Sequence, residues 1–297
     1  MIPARVEAWV QQHSAGVITS VEPIDGGRTD TIWSVRRVDA DPLILRHVEI
    51  ETWGEIGRRH IVSEARGCRL MAGSSLPVPQ LIATDPDGRD TGAYVNLTSW
   101  LPGRVRLGPL SERAIGELAR VAVAIHTTPV DADQRPQPYA FWTPPELSVP
   151  TWTNHPSLWQ RAIDLFAAGP PATPHGLVHR DFHPGNILWE GDRITGVIDW
   201  AETSWGPADL DVVHSCTNFA MLHDFAGARA FLAAYRSQGG QLEGEPEAAR
   251  FWAVSDILGF LPDPGPVVRA LTAARPDLTP DLLRTRLEEL LALTLAA

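Results

Sequence analysis

The sequence has 297 residues, 44% hydrophobic and 21% charged, which are the proportions of an ordinary globular protein. These proportions exclude a disordered chain, a collagen-like chain and a small disulfide-stapled protein. Acidic side chains outnumber basic ones by 36 to 25, which gives a formal net charge of −11. That charge argues against nucleic acid as a partner, because binding a phosphate backbone needs a cationic face. The length favours two domains over one.

All 25 basic residues are arginines, since the sequence contains no lysine. Schiff-base lysine chemistry and nucleotide binding by a Walker A motif are therefore both excluded. The cysteines Cys68 and Cys216 lie far apart without metal-site spacing, so we expect two reduced, buried thiols. The first seven residues contain no basic stretch followed by an apolar run, and no uncharged stretch approaches the ~20 residues of a membrane span. We therefore expect a cytoplasmic protein that does not contact a membrane.

The first third of the chain alternates short apolar runs with turns, which is typical of an antiparallel sheet. We predict strands at 17–21, 31–35, 43–46 and 94–101. Apolar residues at helical spacing predict a helix over 61–71, and the Gly-Ser-Ser run and the proline that follow end it. The Pro102-Gly103 pair ends both the fourth strand and the strand-rich part of the chain.

The chain after this point is mainly helical. Ser111 is suited to cap a helix whose apolar residues recur at intervals of three and four. Two more amphipathic stretches cover 158–168 and begin at Pro280, a proline at a favoured first helical position. The Pro- and Trp-rich segment 129–156 is expected to be an ordered loop. A strand-rich part followed by a helical part predicts two lobes with a small-ligand cleft between them.

The clearest chemical signal is the segment 176–189, which reads Gly-Leu-Val-His-Arg-Asp-Phe-His-Pro-Gly-Asn-Ile-Leu-Trp. It places Asn186 five positions after Asp181, and Asp199 ends a later apolar run, 18 positions after Asp181. This spacing matches the catalytic loop and metal ligands of kinases. One carboxylate accepts or orients the acceptor hydroxyl proton, while an amide oxygen and a second carboxylate hold Mg²⁺, a cation that prefers oxygen ligands.

With these motifs the sequence resembles the aminoglycoside phosphotransferase family, small-molecule kinases of the protein-kinase-like fold. The resemblance spans most of the chain and extends to Asp25-Gly26-Gly27, Leu-Ile-Leu-Arg46, Glu64, Trp100-Leu101-Pro102-Gly103 and the segment 205–211. It implies an α+β two-lobe fold. The small antiparallel-sheet N-lobe, 1–103, would bind nucleotide and include the hinge, and the larger helical C-lobe, 104–297, would hold the catalytic loop and acceptor site.

The resemblance also implies individual roles. Asp181 is the catalytic aspartate, Asn186 and Asp199 are metal ligands, and Asp211 is a structural carboxylate that braces the catalytic loop. Arg46 stands where the family often has lysine, and its planar guanidinium suits both nucleotide phosphates and an ion pair with Glu64. The residues expected to contact or position the nucleotide are Gly26, Gly27, Arg46, Glu64, Ser99 and Leu101, the last two through main-chain groups.

Several of these residues have simpler interpretations. A Gly-Gly pair between strands is most often a hairpin turn, and Arg46 with Glu64 could form an ordinary surface ion pair. We interpret His179 and His183 as packing or loop-bracing histidines. Asp209 is expected to be a solvated loop charge.

The implied function is an ATP- or GTP-dependent, Mg²⁺-requiring O-phosphotransferase, a monomer or dimer, with a small hydroxylated acceptor. We expect an antibiotic acceptor, aminoglycoside-like or a nucleoside. A metabolic kinase for choline, homoserine or a sugar stays open, as does a non-catalytic pseudokinase, against which the intact catalytic set argues. Acidic residues that could select a cationic acceptor are Glu202, Asp209, Asp224 and Asp256. Tryptophans that could line its pocket are Trp142, Trp152 and Trp159.

Overall fold

The computed structural model describes residues 2–24, 31–265 and 275–296. The chain divides into two compact units. The first consists of Met1–Arg104, Leu188–Glu190 and Thr195–Thr203. The second consists of Val105–Ile187, Gly191–Ile194 and Ser204–Ala297. Two short segments from the later chain therefore belong to the first unit, and one of them carries Asp199.

The first unit is built on a five-stranded antiparallel sheet with the strand order β1-β2-β3-β5-β4. Its strands are β1 Ile18–Ile24, β2 Thr31–Arg37, β3 Ala40–Val48, β4 Leu81–Asp85 and β5 Tyr94–Ser99. The sequence pattern predicts four of them, and the structure adds β4. This strand has five residues between two prolines and lies at the edge of the sheet with Ile82 exposed, so it lacks the alternation that marks the others.

Two helices pack in this unit. Helix α1, Ala4–His13, buries Val6, Trp9 and Val10 in one apolar cluster with the sheet. Helix α2, Ile50–Met71, begins eleven residues before the predicted start at 61. Its early part is interrupted at Gly54, which has a φ of 46° that only glycine adopts readily, and this break hides the helical periodicity from the sequence pattern.

The second unit is mainly helical, as predicted. Its helices are α3 Glu112–His126, α4 Pro156–Ala167, α5 Asp209–Leu222, α6 Phe225–Ser237, α7 Pro246–Leu258 and α8 Pro280–Ala296. Ser111 caps α3 by accepting a hydrogen bond from the Ala114 amide at 3.1 Å, and α8 begins at Pro280. Large apolar side chains of α4, α5, α7 and α8 share one core, in which Trp159 and Leu287 are fully buried.

Five short strands frame the sequence motifs. They are β6 Arg104–Val105, β7 Gly176–Val178, β8 Ile187–Glu190, β9 Arg193–Val197 and β10 Ser204–Gly206. The segment with Asp181 connects β7 to β8, and Asp199 follows β9 directly. Both aspartates thus lie just beyond strand ends, where the backbone leaves the ladder and side chains can face a ligand. Within the described ranges, none of the helices combines the length and the apolar character that crossing a membrane requires.

Candidate active site

The Asp181 loop is closed by the side chain of Asn186. Its Nδ2 donates to the Asp181 main-chain oxygen at 2.9 Å and to the Asp181 Oδ2 at 3.0 Å. An amide that donates through nitrogen presents its oxygen as an acceptor, and an amide oxygen is a type of atom that a hard cation binds. The loop therefore orients the carboxylate of Asp181 and leaves Asn186 with the donor atom type that a metal ligand requires.

Asp211 braces this loop from α5. Its carboxylate accepts hydrogen bonds from the main-chain amides of His179 at 2.8 Å and Arg180 at 2.6 Å, and His126 Nε2 lies 3.0 Å away. Burial opposes ionisation of Asp211, but His126 and the main-chain donors hold its pKa below the usual range. These contacts allow Asp211 to brace the catalytic loop, which is the structural role that the resemblance implies. Arg180 adopts a strained left-handed conformation with a φ of 74°, and the hydrogen bonds to Asp211 hold the backbone in it.

Asp209 also lies on α5, two residues earlier, and it is buried with only 4% of its surface exposed. The expectation of a solvated loop charge is wrong. Its carboxylate accepts from the Glu243 amide at 3.2 Å, and burial raises its pKa to about 6. The chain thus offers two buried carboxylates on one helix with opposite pKa shifts.

We expect Asp211→Asn to lower the free energy of unfolding by about 3 kcal/mol, the scale of breaking a buried, hydrogen-bonded charge network. Because the folded-state pKa of Asp211 lies below its unfolded value of about 4, its contribution is present at neutral pH and is lost as the pH falls. Denaturant unfolding at about pH 7.5 measures the loss.

Asp209→Asn is the matched control. Its folded-state pKa is raised, so its ionisation opposes folding above about pH 6, and the neutral amide should change stability by less than about 1 kcal/mol. Equal losses in the two variants would contradict the distinction between them.

Two imidazoles flank the Asp181 carboxylate. His214 Nε2 lies 3.2 Å and His183 Nε2 3.6 Å from Asp181 Oδ1. Burial opposes ionisation of Asp181, yet His183, His214 and His179 hold its pKa well below the usual range. His183 therefore does more than brace the loop, although its Nδ1 also accepts from the Gly185 amide at 3.2 Å.

The cluster of Asp181, His183 and His214 has atoms close enough together to hold a metal ion. Ligand chemistry argues otherwise. The Nδ1 of His183 accepts a hydrogen bond, so its Nε2 carries the proton and does not offer a lone pair to a metal. We therefore assign Asp181 and His214 to an ion pair, while the neutral His183 faces the same carboxylate with its protonated Nε2.

In the first unit, Arg46 joins two carboxylates. Its Nε donates to Glu64 Oε1 at 3.0 Å and its Nη2 to Asp199 Oδ1 at 2.8 Å. Glu64 also accepts from Asn96 Nδ2 at 2.8 Å through its second oxygen. Burial alone would lower the pKa of Arg46, but Glu64 and Asp199 raise it above the ordinary value. Only 7% of Arg46 is exposed, so the surface-pair interpretation of Arg46 and Glu64 does not hold.

Asp199 is positioned by its backbone and by close packing of the turn behind it. It adopts a left-handed conformation with a φ of 63° and a ψ of 60°, a strain that functional sites commonly carry. A Cβ at Gly67 of α2 would lie 3.0 Å from the Trp200 ring, so glycine there permits the close approach of helix and turn. The Asp199 side chain stays 39% exposed and is accessible to a ligand.

The connection after β5 is less free than the sequence suggests. The Ser99 amide donates to the Gln80 oxygen at 2.9 Å and its hydroxyl accepts from the Gln80 amide at 2.9 Å, so both groups already have partners within the protein. Gly103 has a φ of 106°, and a Cβ there would lie 3.0 Å from the Trp189 oxygen. The predicted loop residues Gly26 and Gly27 lie outside the described residues.

The four acidic residues proposed for a cationic acceptor are all engaged within the protein. Glu202 pairs with His60 at 3.0 Å, and Asp209 accepts from the Glu243 amide. Asp224 caps α6 through the Gly227 amide, and Asp256 binds His214. Each of these carboxylates thus has a partner within the protein, and their binding of the acceptor stays a prediction.

Of the three tryptophans, Trp142 lies nearest to the Asp181 surroundings. Its ring centroid is 4.9 Å from that of His214 and 3.8 Å from the Arg180 guanidinium carbon. Trp159 is fully buried in the helical core, and Trp152 packs on it edge to face, so these two are core residues. Cys68 is buried as expected, whereas Cys216 is only half-buried.

Solved structures of similar fold are small-molecule kinases. Spectinomycin phosphotransferase, solved with ADP and spectinomycin, gives a TM-score of 0.69 at 12% identity, with 99% of this chain and 98% of that chain covered. Macrolide 2'-phosphotransferase from Brachybacterium faecium gives a TM-score of 0.59 at 17% identity, with 96% and 97% covered. The likeness to these structures confirms the predicted α+β, protein-kinase-like fold.

The family follows from the sequence as a whole. The model of the phosphotransferase enzyme family matches residues 20–252, and this chain belongs to that family. Among curated relatives, homoserine kinase of Nitrobacter hamburgensis is 33% identical over 96 residues, 31% of this chain and 29% of that protein. The chain thus matches less than a third of that relative's length. Membership of this family agrees with the predicted class of small-molecule phosphotransferase.

Proposed function

We propose that this protein transfers the terminal phosphoryl group of ATP or GTP to a hydroxyl of a small molecule. The observation that carries the proposal is the geometry of the Asp181 loop. Asn186 donates to the carboxylate of Asp181, and Asp211 accepts from the main-chain amides of His179 and Arg180 just before it. Phosphoryl transfer needs little covalent chemistry from the protein, so a rigidly positioned carboxylate is what the reaction demands.

Asp181 is the group we place at the acceptor hydroxyl. Its depressed pKa keeps it ionised, so it accepts a hydrogen bond from the hydroxyl and aims the oxygen lone pair at the phosphorus. A carboxylate of low pKa is a weak base, so its main contribution is orientation. As the hydroxyl oxygen bonds to the γ-phosphorus, the bond from that phosphorus to the β–γ bridging oxygen breaks, the nucleoside diphosphate leaves, and the hydroxyl proton passes late to Asp181.

The residues present fit Mg²⁺. Asn186 offers an amide oxygen and Asp199 a partly exposed carboxylate, and both are the hard oxygen ligands that this cation prefers. The cation would neutralise charge on the nucleotide phosphates. Arg46 adds a fixed positive charge beside Asp199, and Glu64 with Asn96 holds that guanidinium in place.

Two chemical classes of acceptor are compatible with the comparisons. The likeness to spectinomycin and macrolide phosphotransferases favours a hydroxylated antibiotic, and the similarity to homoserine kinase favours an amino alcohol of metabolism. The four expected acidic residues each have a partner within the protein, and this weakens the case for a polycationic aminoglycoside. We favour an uncharged or singly charged hydroxyl compound.

The test is transfer of labelled γ-phosphate to a panel of aminoglycosides, spectinomycin, macrolides, nucleoside antibiotics, amino alcohols and sugars, read by mass spectrometry. Addition of one phosphate to a panel member, with ATP or GTP and Mg²⁺, supports the proposal. A pseudokinase would bind nucleotide and leave every compound unmodified.

Arg46 gives a further prediction. Arg46→Ala should raise the nucleotide KM and lower kcat/KM by at least about tenfold, the scale of losing a charge-assisted hydrogen bond. Arg46→Lys should restore part of the loss, since an ammonium cannot bridge Glu64 and Asp199 as the planar fork does. Steady-state kinetics with varied nucleotide measures both.

Arg58→Ala is the matched control, because Arg58 also has two carboxylate partners, Glu55 and Asp87, but its side chain is 40% exposed. We expect unchanged kinetics there. A nucleotide KM that stays at its original value in Arg46→Ala would remove Arg46 from phosphate binding.

A further inference from the structure

His214 lies on α5, one helical turn after Asp211, and belongs to none of the sequence motifs. Its side chain is 7% exposed and lies between two carboxylates. Nδ1 is 2.9 Å from Asp256 Oδ1, and Nε2 is 3.2 Å from Asp181 Oδ1. The Asp256 side chain is itself 3% exposed. A line of charges thus runs from the interior through an imidazole to the catalytic aspartate.

An imidazole can donate to two carboxylates at once only when both ring nitrogens carry protons. Burial alone would lower the pKa of His214, but Asp256 and Asp181 raise it to about 9. The imidazolium form therefore dominates at neutral pH. It offsets one of the two carboxylate charges locally, which reduces the desolvation penalty of holding Asp181 and Asp256 close together.

One neighbouring contact opposes this assignment. Asn218 Nδ2 lies 3.1 Å from His214 Nε2, and a donor in that place favours the neutral ring. The same nitrogen donates to the His214 main-chain oxygen at 2.9 Å, however, whereas Asp181 Oδ1, at 3.2 Å from Nε2, carries a full charge that favours the imidazolium. His183, from the catalytic loop, has its ring centroid 5.5 Å away and faces the same Asp181 oxygen. Cys216 of α5 is a neutral thiol, since burial raises its pKa to about 12. The rings of Trp142 and Phe260 also pack on His214. Asp181 and Asp256 are the anionic groups that face His214 among the described residues.

We propose that His214, anchored by Asp256, is a positioning residue that fixes the catalytic carboxylate of Asp181 through a buried ion pair. This inference rests on the proposed function of Asp181. Asn186 holds Oδ2 and His214 holds Oδ1, so the two side chains together determine the rotation of the carboxylate plane. Positioning of this kind acts on turnover, and we expect nucleotide binding to be unchanged, because the described contacts of His214 and Asp256 do not include Arg46, Asn186 or Asp199.

A pH dependence follows. When His214 loses its proton, Nε2 presents a lone pair to Asp181 and the ion pair is replaced by repulsion. Turnover should therefore fall on the alkaline side with a midpoint near the His214 pKa of about 9. Asp256→Asn removes one supporting carboxylate, and the midpoint should move down by at least about one pH unit.

The experiment has two readouts. The first is an NMR titration of the histidine imidazoles in the intact protein from about pH 6 to about pH 10.5, with the His214 signals assigned by their absence in His214→Gln. A charged His214 at pH 7 whose titration midpoint falls in Asp256→Asn supports the proposal. A neutral His214 at pH 7 overturns it, whether or not an acceptor has been found.

The second readout is the pH profile of kcat with the acceptor found in the panel. We expect His214→Gln to lower kcat by about tenfold to a hundredfold with nucleotide KM within about twofold, and Asp256→Asn to move the alkaline limb. His155→Gln is the control, since His155 lies 3.8 Å from Glu288 but is 68% exposed. If the role of His214 and Asp256 is purely structural, Asp256→Asn should lower kcat by the same factor at every pH and leave the midpoint of the alkaline limb unchanged. That result overturns the proposal.

The two readouts separate the possible failures. Wild-type protein that phosphorylates no compound while His214 is charged and coupled to Asp256 would contradict the proposed function. Protein that transfers phosphate with an unmoved alkaline limb in Asp256→Asn would contradict only the role of His214.

Discussion

Asp181→Asn is expected to lower turnover by at least about a hundredfold, because orientation and proton acceptance by a placed side chain contribute roughly 10² to 10⁴. Asparagine has nearly the same shape, and Asn186 can still donate to the main-chain oxygen of residue 181, so the loop should keep its conformation. What is lost is the negative charge at the acceptor hydroxyl. Nucleotide affinity should stay within about threefold, since we place Asp181 at the acceptor hydroxyl and not at the nucleotide.

Single-turnover transfer at saturating nucleotide measures this effect, and a fluorescence or calorimetric titration measures nucleotide affinity. Asp133→Asn is the matched control, because Asp133 belongs to the same unit and is exposed. A variant at 181 that turns over at more than about a tenth of the wild-type rate would remove Asp181 from the catalytic role.

The second large effect is expected at Asp199. Asp199→Ala should abolish Mg²⁺-dependent nucleotide binding as well as turnover, since a carboxylate that holds the metal acts before the chemical step. The same change removes a partner of Arg46, which then retains only Glu64 as a carboxylate among the described contacts. The two losses point in the same direction, so the nucleotide Kd should rise by more than about tenfold.

Calorimetric titration with and without Mg²⁺ separates the two contributions. We expect Mg²⁺ to tighten nucleotide binding in wild type and to have no effect in Asp199→Ala. Asp90→Ala is the control, because Asp90 is exposed in the same unit and its described hydrogen bonds, to Arg5 and Asp85, are made by its main-chain atoms. If Mg²⁺ enhances binding equally in wild type and Asp199→Ala, Asp199 does not hold the metal.

The sequence predicts those parts of the fold that depend on local pattern. Alternation identifies β1, β2, β3 and β5, and the Ser111 cap identifies α3. Asp181 and Asn186 are found because the chemistry fixes their spacing within one loop. These features need only residues near one another in the chain, and a single sequence contains that information directly.

Features that depend on distant partners are missed. His214 meets Asp256 across 42 positions, and nothing near it in the sequence marks it except its place one turn after Asp211. Asp209 looks like a loop charge until the Glu243 amide, 34 positions on, covers it. The internal partners of the acidic residues expected at the acceptor are missed for the same reason. A sequence shows the charge of a carboxylate but not the group that binds it.

The most direct test of phosphoryl transfer by this protein is ³¹P NMR with ATP or GTP, Mg²⁺ and each acceptor of the panel. We expect the γ-phosphate signal to be replaced by that of a phosphate monoester on the acceptor, and Asp181→Asn or chelation of Mg²⁺ to prevent this. Release of inorganic phosphate alone across the whole panel, or monoester formation at an undiminished rate in Asp181→Asn, would contradict it.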